Sequence, residues 1–220
     1  GRIQGAGVEY AEGQIRAIAL YHDGMGSANT NFQNAGAHWG VSGRLEFMVM
    51  GNSWTQYNTM SAIGEAGQLL VVGGGFDYTG ADNLNSFNFA IDAQYEMDQL
   101  AIYGAFLGSI ADPRNTLDDD NTFNWGFVIQ AAYAFSPNME VFGRFDLVKF
   151  ENEQLVDEDT FYEVNAGVNY YIKGRAAMVT VDVAWLPNGS PVALPYQDIV
   201  GGTQEAEIAL RAQIQIAPGR

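Results

Sequence analysis

Apolar and polar residues alternate along this chain in segments of about ten, each closed by a break rich in Gly, Pro, Asn or Asp. The stretch from Phe87 to Glu96 sets the pattern. Phe87, Phe89, Ile91, Ala93 and Tyr95 fall on one side, and Asn88, Ala90, Asp92, Gln94 and Glu96 on the other. A period of two belongs to a β-strand with one apolar and one polar face. Strands of globular proteins commonly run only about 5–6 residues, whereas a tilted strand crossing a bilayer needs about 9–11. The repeat therefore predicts an all-β, transmembrane antiparallel barrel, with residues 1–220 forming a single domain.

Eleven such segments lie near Ile3–Tyr10, Gln14–His22, Trp39–Met50, Leu69–Tyr78, Phe87–Met97, Leu100–Ile110, Phe123–Phe135, Met139–Phe150, Phe161–Ile172, Ala176–Leu186 and Glu205–Ile216. Tight turns at Ala11-Glu12-Gly13, Asp98-Gln99, Ser136-Pro137-Asn138 and Lys173-Gly174-Arg175 alternate with longer loops. Short turns at one end and long loops at the other are the arrangement of a bacterial outer-membrane barrel. The connection from Met50 to Gln68 is long where a short turn is due. Single-chain bacterial barrels have an even number of strands. A count of eleven then implies either a twelfth strand within Gly51–Gln68 or strands preceding Gly1, and the strand-like pattern at Gly1 favours the second.

Aromatic residues such as Tyr10, Trp39, Tyr78, Tyr95, Phe123, Trp125, Phe135 and Tyr170 gather toward segment ends. Rings there would form the girdles of a membrane barrel, although strands also favour aromatics for their own sake. With the apolar phase turned to lipid, the other phase lines the interior. It holds Arg16, Arg44 with Glu46, Asp92, Gln94, Gln130, Arg144 with Asp146, Glu163, Asn165, Asn169, Asp182, and Arg211 with Gln213 and Gln215. Of these, Arg16, Arg44, Glu46, Asp92, Arg144, Asp146, Glu163, Asp182, Arg211 and Gln213 are the predicted pore wall. Charged side chains in such a wall either sort solutes or brace the barrel through ion pairs.

Composition changes the picture in a few places. With 10 basic and 26 acidic residues the formal charge is -16, which argues against nucleic acid, whose affinity rests on Lys and Arg. The acidic runs Asp118–Asp120, Glu151–Glu153 and Asp157–Asp159 offer oxygen ligands of the kind that hold Ca²⁺ or Mg²⁺, but match no EF-hand spacing and read first as solvated loop surface. No metal or cofactor is expected. Absence of Cys excludes a thiol nucleophile, and His22 and His38, the two histidines, sit at segment ends, so no enzyme is expected either. Gly73-Gly74-Gly75 lacks the Lys-Ser/Thr and helix of a phosphate loop. Glycines in mid-strand instead permit a bend or close packing against a loop folded inward.

Gly5-Ala6-Gly7-Val8-Glu9-Tyr10 followed by Ile15–Gly24 resembles a hairpin of the phosphate-selective porins of the O and P type. Leu70–Tyr78 is similar to their next strand, and Ala209-Leu210-Arg211-Ala212-Gln213-Ile214-Gln215-Ile216 to their last. The resemblance implies a sixteen-stranded, usually trimeric outer-membrane barrel of which this chain supplies the C-terminal portion. It implies an aqueous channel for small hydrophilic solutes or ions, with anions such as phosphate favoured through inward Arg and Lys. The expected partners are outer-membrane lipid and further copies of the chain. A structural or adhesive barrel with a closed lumen and acidic surface loops is the alternative reading.

Overall fold

A computed structural model describes residues 4–24, 37–63, 67–82, 84–113, 121–151, 159–174, 176–189 and 205–216. Eleven strands form one antiparallel sheet in which every strand pairs with its sequence neighbours, from β1 to β11. They are β1 (Gly5–Glu12), β2 (Ile15–His22), β3 (Ala37–Met50), β4 (Leu69–Ala81), β5 (Leu84–Met97), β6 (Leu100–Pro113), β7 (Thr122–Ser136), β8 (Met139–Lys149), β9 (Thr160–Tyr171), β10 (Ala177–Leu186) and β11 (Glu207–Ile216). The alternation thus marks each of them to within a few residues. β1 and β11 are edge strands, not paired with each other.

The tight turns form where backbone geometry allows a reversal. Gly13 takes φ +56° between β1 and β2, and Asp98 takes φ +53° between β5 and β6, the left-handed values that Gly and Asp tolerate best. Registers are regular except for irregularities at Ala37/Trp39, Met48/Met50 and Ala134/Ser136.

One face of the sheet is apolar and open. Leu45, Ile91, Ile129, Trp185, Ile208 and Leu210 all lie there with their side chains exposed, Ile91 at 63% and Leu210 at 75%. Near the long-loop end this face carries contiguous rings: Phe76 stacks on Phe87, Phe89 on Phe123, and Phe106 on Trp125. Gly108 makes that packing possible, because a β-carbon there would lie 2.4 Å from the Phe89 ring.

The other face is polar and carries the connection between β3 and β4. No strand forms in the described part of 51–68; the segment holds a short helix, α1 (Trp54–Thr59). Ser53 caps it by accepting a hydrogen bond from the Gln56 amide, and Met60 ends it in the left-handed region at φ 40°. The twelfth-strand alternative for Gly51–Gln68 is therefore corrected. Met48, Leu69 and Val71, all but fully buried, pack against Trp54 and Tyr57 of the helix. Further along, Ala62 and Ile63 pack against Ala101, Ala132, Ala134 and Phe142.

Candidate functional site: the polar face and its cavity

All ten residues predicted to line a wall project from the polar face, because the strand phases and registers agree. Register pairs Arg16 with Glu46, Asp146 with Glu163, and Asp182 with Arg211 directly across neighbouring strands. Gln213 stands opposite Thr180. A shift of one residue in any strand would have sent its set to the opposite face.

These residues gather into two groups. In the first, Arg44 of β3 crosses over β4 to reach Asp92 of β5, with Nη1–Oδ2 at 2.7 Å and Nη2–Oδ1 at 2.9 Å. Its Nε donates to Glu46 at 2.8 Å, and Arg16 stands 3.6 Å from the other Glu46 oxygen. The crossing depends on Gly73. A β-carbon at that position would lie 2.6 Å from Nη2 of Arg44 and 3.0 Å from Oδ1 of Asp92. The mid-strand glycine therefore makes room for a side-chain bridge; what approaches it is a guanidinium, where the sequence suggested a bend or an inward loop.

The segment carrying α1 is fastened to this group. Trp54 donates to the Gly13 carbonyl at 3.0 Å, with the Arg16 guanidinium 4.9 Å from its ring centroid. Tyr57 donates to Glu46 at 2.8 Å and accepts from Arg44 at 3.2 Å. Burial, and then the bond to Glu46, push the Tyr57 hydroxyl up to about 12. Gln56 donates to Glu96 and Gln94 to the Tyr57 carbonyl, each at 3.0 Å.

Glu140 of β8 fastens the far end. It accepts from the Ala62 amide at 2.9 Å, Asn169 at 2.9 Å, and Ser61 and Tyr171 at 3.2 Å each. Sequence reasoning passed over Glu140, which follows the Ser136-Pro137-Asn138 turn and reads as turn polarity. The helix had a signal: Ser53-Trp54-Thr55-Gln56 has the Ser-x-x-Gln spacing of a capping box.

The second group borders a cavity of about 690 Å³ beside the inserted segment. Arg144 grips Asp146 with Nε and Nη2 at 2.7–2.9 Å. Arg211 donates to Asp182 at 2.7 Å and stands 3.5 Å from Glu163 on the strand beyond. Tyr103, Gln130, Asn165 and Gln215 are among the further polar side chains of the lining. The cavity touches every strand from β5 to β11. The cavity, the inserted segment and the ion pairs thus share one face of the sheet, and the exposed apolar side chains occupy the other.

His22 takes no part in either group. Its ring is fully buried, with Nε2 3.0 Å from Asp77 and Nδ1 accepting from the Gly24 amide. Gly40 leaves the space, since a β-carbon there would meet the ring at 2.2 Å. The side chain of His38 and the runs Asp118–Asp120, Glu153 and Asp157–Glu158 lie outside the described residues. Of the acidic runs, Glu151 and Asp159 are described: Glu151 accepts from the Phe123 amide, and Asp159 pairs with Lys149 at 3.1 Å. No group of carboxylates or histidines with metal-site geometry occurs among the described residues. No family model matches the chain, and no curated protein is significantly similar to it.

Proposed function

We propose that this chain forms the wall of an outer-membrane β-barrel whose interior is a water-filled channel for passive diffusion of small hydrophilic solutes or ions. The observation that carries the proposal is the pairing of one sheet face of exposed large apolar side chains with an opposite face of ion pairs and amides around a 690 Å³ cavity. Exposed apolar surface on this scale belongs in contact with another apolar phase. Strands are one of the two structures that satisfy their backbone groups in lipid. Aromatic rings toward the two ends of the apolar face, Phe87, Phe123 and Trp125 at one and Tyr95, Tyr133 and Tyr170 at the other, suit the two headgroup layers.

The resemblance to phosphate-selective porins supports the same reading. The inserted segment would narrow the lumen from the tight-turn side, as its anchor on Gly13 indicates. The reading requires no enzymatic step and no cofactor. A closed structural or adhesive barrel is the competing view, and the open cavity beside the segment weighs against it. Planar-bilayer recording decides between them: stepwise conductance supports the channel, and bilayers that stay silent despite verified insertion refute it.

A further inference from the structure

We propose that the channel selects cations over anions, and that Glu163 and Asp182 are the side chains that set the preference. This deepens the channel reading and rests on it. Anion preference of the kind the porin resemblance implies needs guanidinium or ammonium groups free to meet the solute. The four arginines of the polar face among the described residues, Arg16, Arg44, Arg144 and Arg211, each stand within 3.6 Å of at least one carboxylate. Lys149, in phase with Trp125 and Thr160, belongs to the opposite face.

The carboxylates outnumber their partners. Around the inserted segment, Glu46, Asp92 and Glu96 surround two arginines. Around the cavity, Arg144 and Arg211 meet Glu140, Glu163 and Asp182, with Asp146 held on Arg144. Glu140 is 3% exposed and accepts four hydrogen bonds, so it adds to the field without meeting a solute. Glu163 differs. Its side chain is 30% exposed, its contact with Arg211 is a long 3.5 Å, and the register sets it directly beside Asp146.

Asp182 holds Arg211 through Nε at 2.7 Å, and Asn165 donates to the same carboxylate oxygen at 2.9 Å. Arg211, itself 38% exposed, therefore divides one positive charge between two carboxylates, and Glu163 faces the cavity beside it. Field lines in a narrow aqueous passage with low-dielectric walls concentrate there, so a small excess of fixed negative charge enriches cations.

The test is the zero-current potential of the protein in planar bilayers under a KCl gradient. The expected sign is toward the potassium equilibrium potential. Glu163→Gln should lower the potassium-to-chloride permeability ratio by about twofold. Asp182→Asn, which loosens Arg211, should move it the same way, and Arg211→Ala should raise it. A chloride-directed potential in the unaltered protein overturns the inference and leaves the channel reading standing. So does a ratio that Glu163→Gln and Arg211→Ala both leave unchanged in conducting pores. Absence of conductance after verified insertion refutes the channel itself, and the inference with it.

Discussion

Gly73→Ala adds one methyl group at the point where Arg44 passes over β4 to reach Asp92. The new carbon would sit 2.6 Å from Nη2 of Arg44, and an ordinary contact needs about 3.5 Å, so the guanidinium must withdraw by ~1 Å. That opens a fork now closed at 2.7 and 2.9 Å. Hydrogen bonds to charged groups contribute about 1.5–3 kcal/mol. The Arg44 side chain is 32% exposed, which places the loss near the lower end of that range. Reduced freedom of the unfolded chain returns about 0.4–1 kcal/mol when Gly becomes Ala without strain. A net loss of about 1 kcal/mol is expected.

Gly74→Ala is the matched control. It lies on the opposite face, where the nearest atom to a new β-carbon is the Ala90 carbonyl oxygen at 3.6 Å, so the favourable backbone effect acts alone. Urea unfolding of the folded protein, followed by tryptophan fluorescence, should show a lower midpoint for Gly73→Ala and an equal or higher one for Gly74→Ala, with unchanged slopes. Equal shifts for the two would mean that the bridge over Gly73 contributes nothing, and the reasoning would fail.

Other expectations follow from the same geometry. Ile129→Arg places a charge on the exposed apolar face and should destabilise the membrane-embedded protein by roughly 2–4 kcal/mol, while Gln130→Arg, one residue away on the cavity side, should cost far less; reversible unfolding from vesicles compares them. Glu140→Ala strands the Ala62 amide and the side chains of Ser61, Asn169 and Tyr171. The segment should then open about tenfold more often, read as faster thiol labelling of an Ala62→Cys background, a buried position in a protein that has no Cys of its own. Tyr57 has its folded-state pKa raised from 10.0 to about 12. The stability tied to its neutral form should be intact below pH 10 and lost as pH rises toward 12, and the difference between ultraviolet titrations of the protein and of Tyr57→Phe should show one late-ionising tyrosine.

The strands and their facing were legible because both follow from a local period. Arg44–Glu46 and Arg144–Asp146 were equally plain, being two residues apart on one strand and hence on one face. Contacts that depend on register or curvature were not. Nothing local couples His22 to Asp77, or Glu140 to Ala62, since each pair is joined only through the stacking order of several strands. The stretch after Met50 lacks alternation because it borrows its partners from many strands and buries few of its own side chains. Gly73 carried a signal that was ambiguous by nature: a missing side chain does not say which neighbour uses the space.

The segment between β3 and β4 leaves and rejoins the sheet at the same end, the end of the tight turns. In a barrel, a tether with both feet at one mouth makes the two mouths unequal even where the wall is uniform. A driving force directed inward from that mouth presses α1 toward Arg44 and Glu46, which Tyr57 touches, and the opposite force pulls it toward its own feet. Ionic current should therefore rectify, and the direction of rectification would report which way round a single molecule has entered the bilayer.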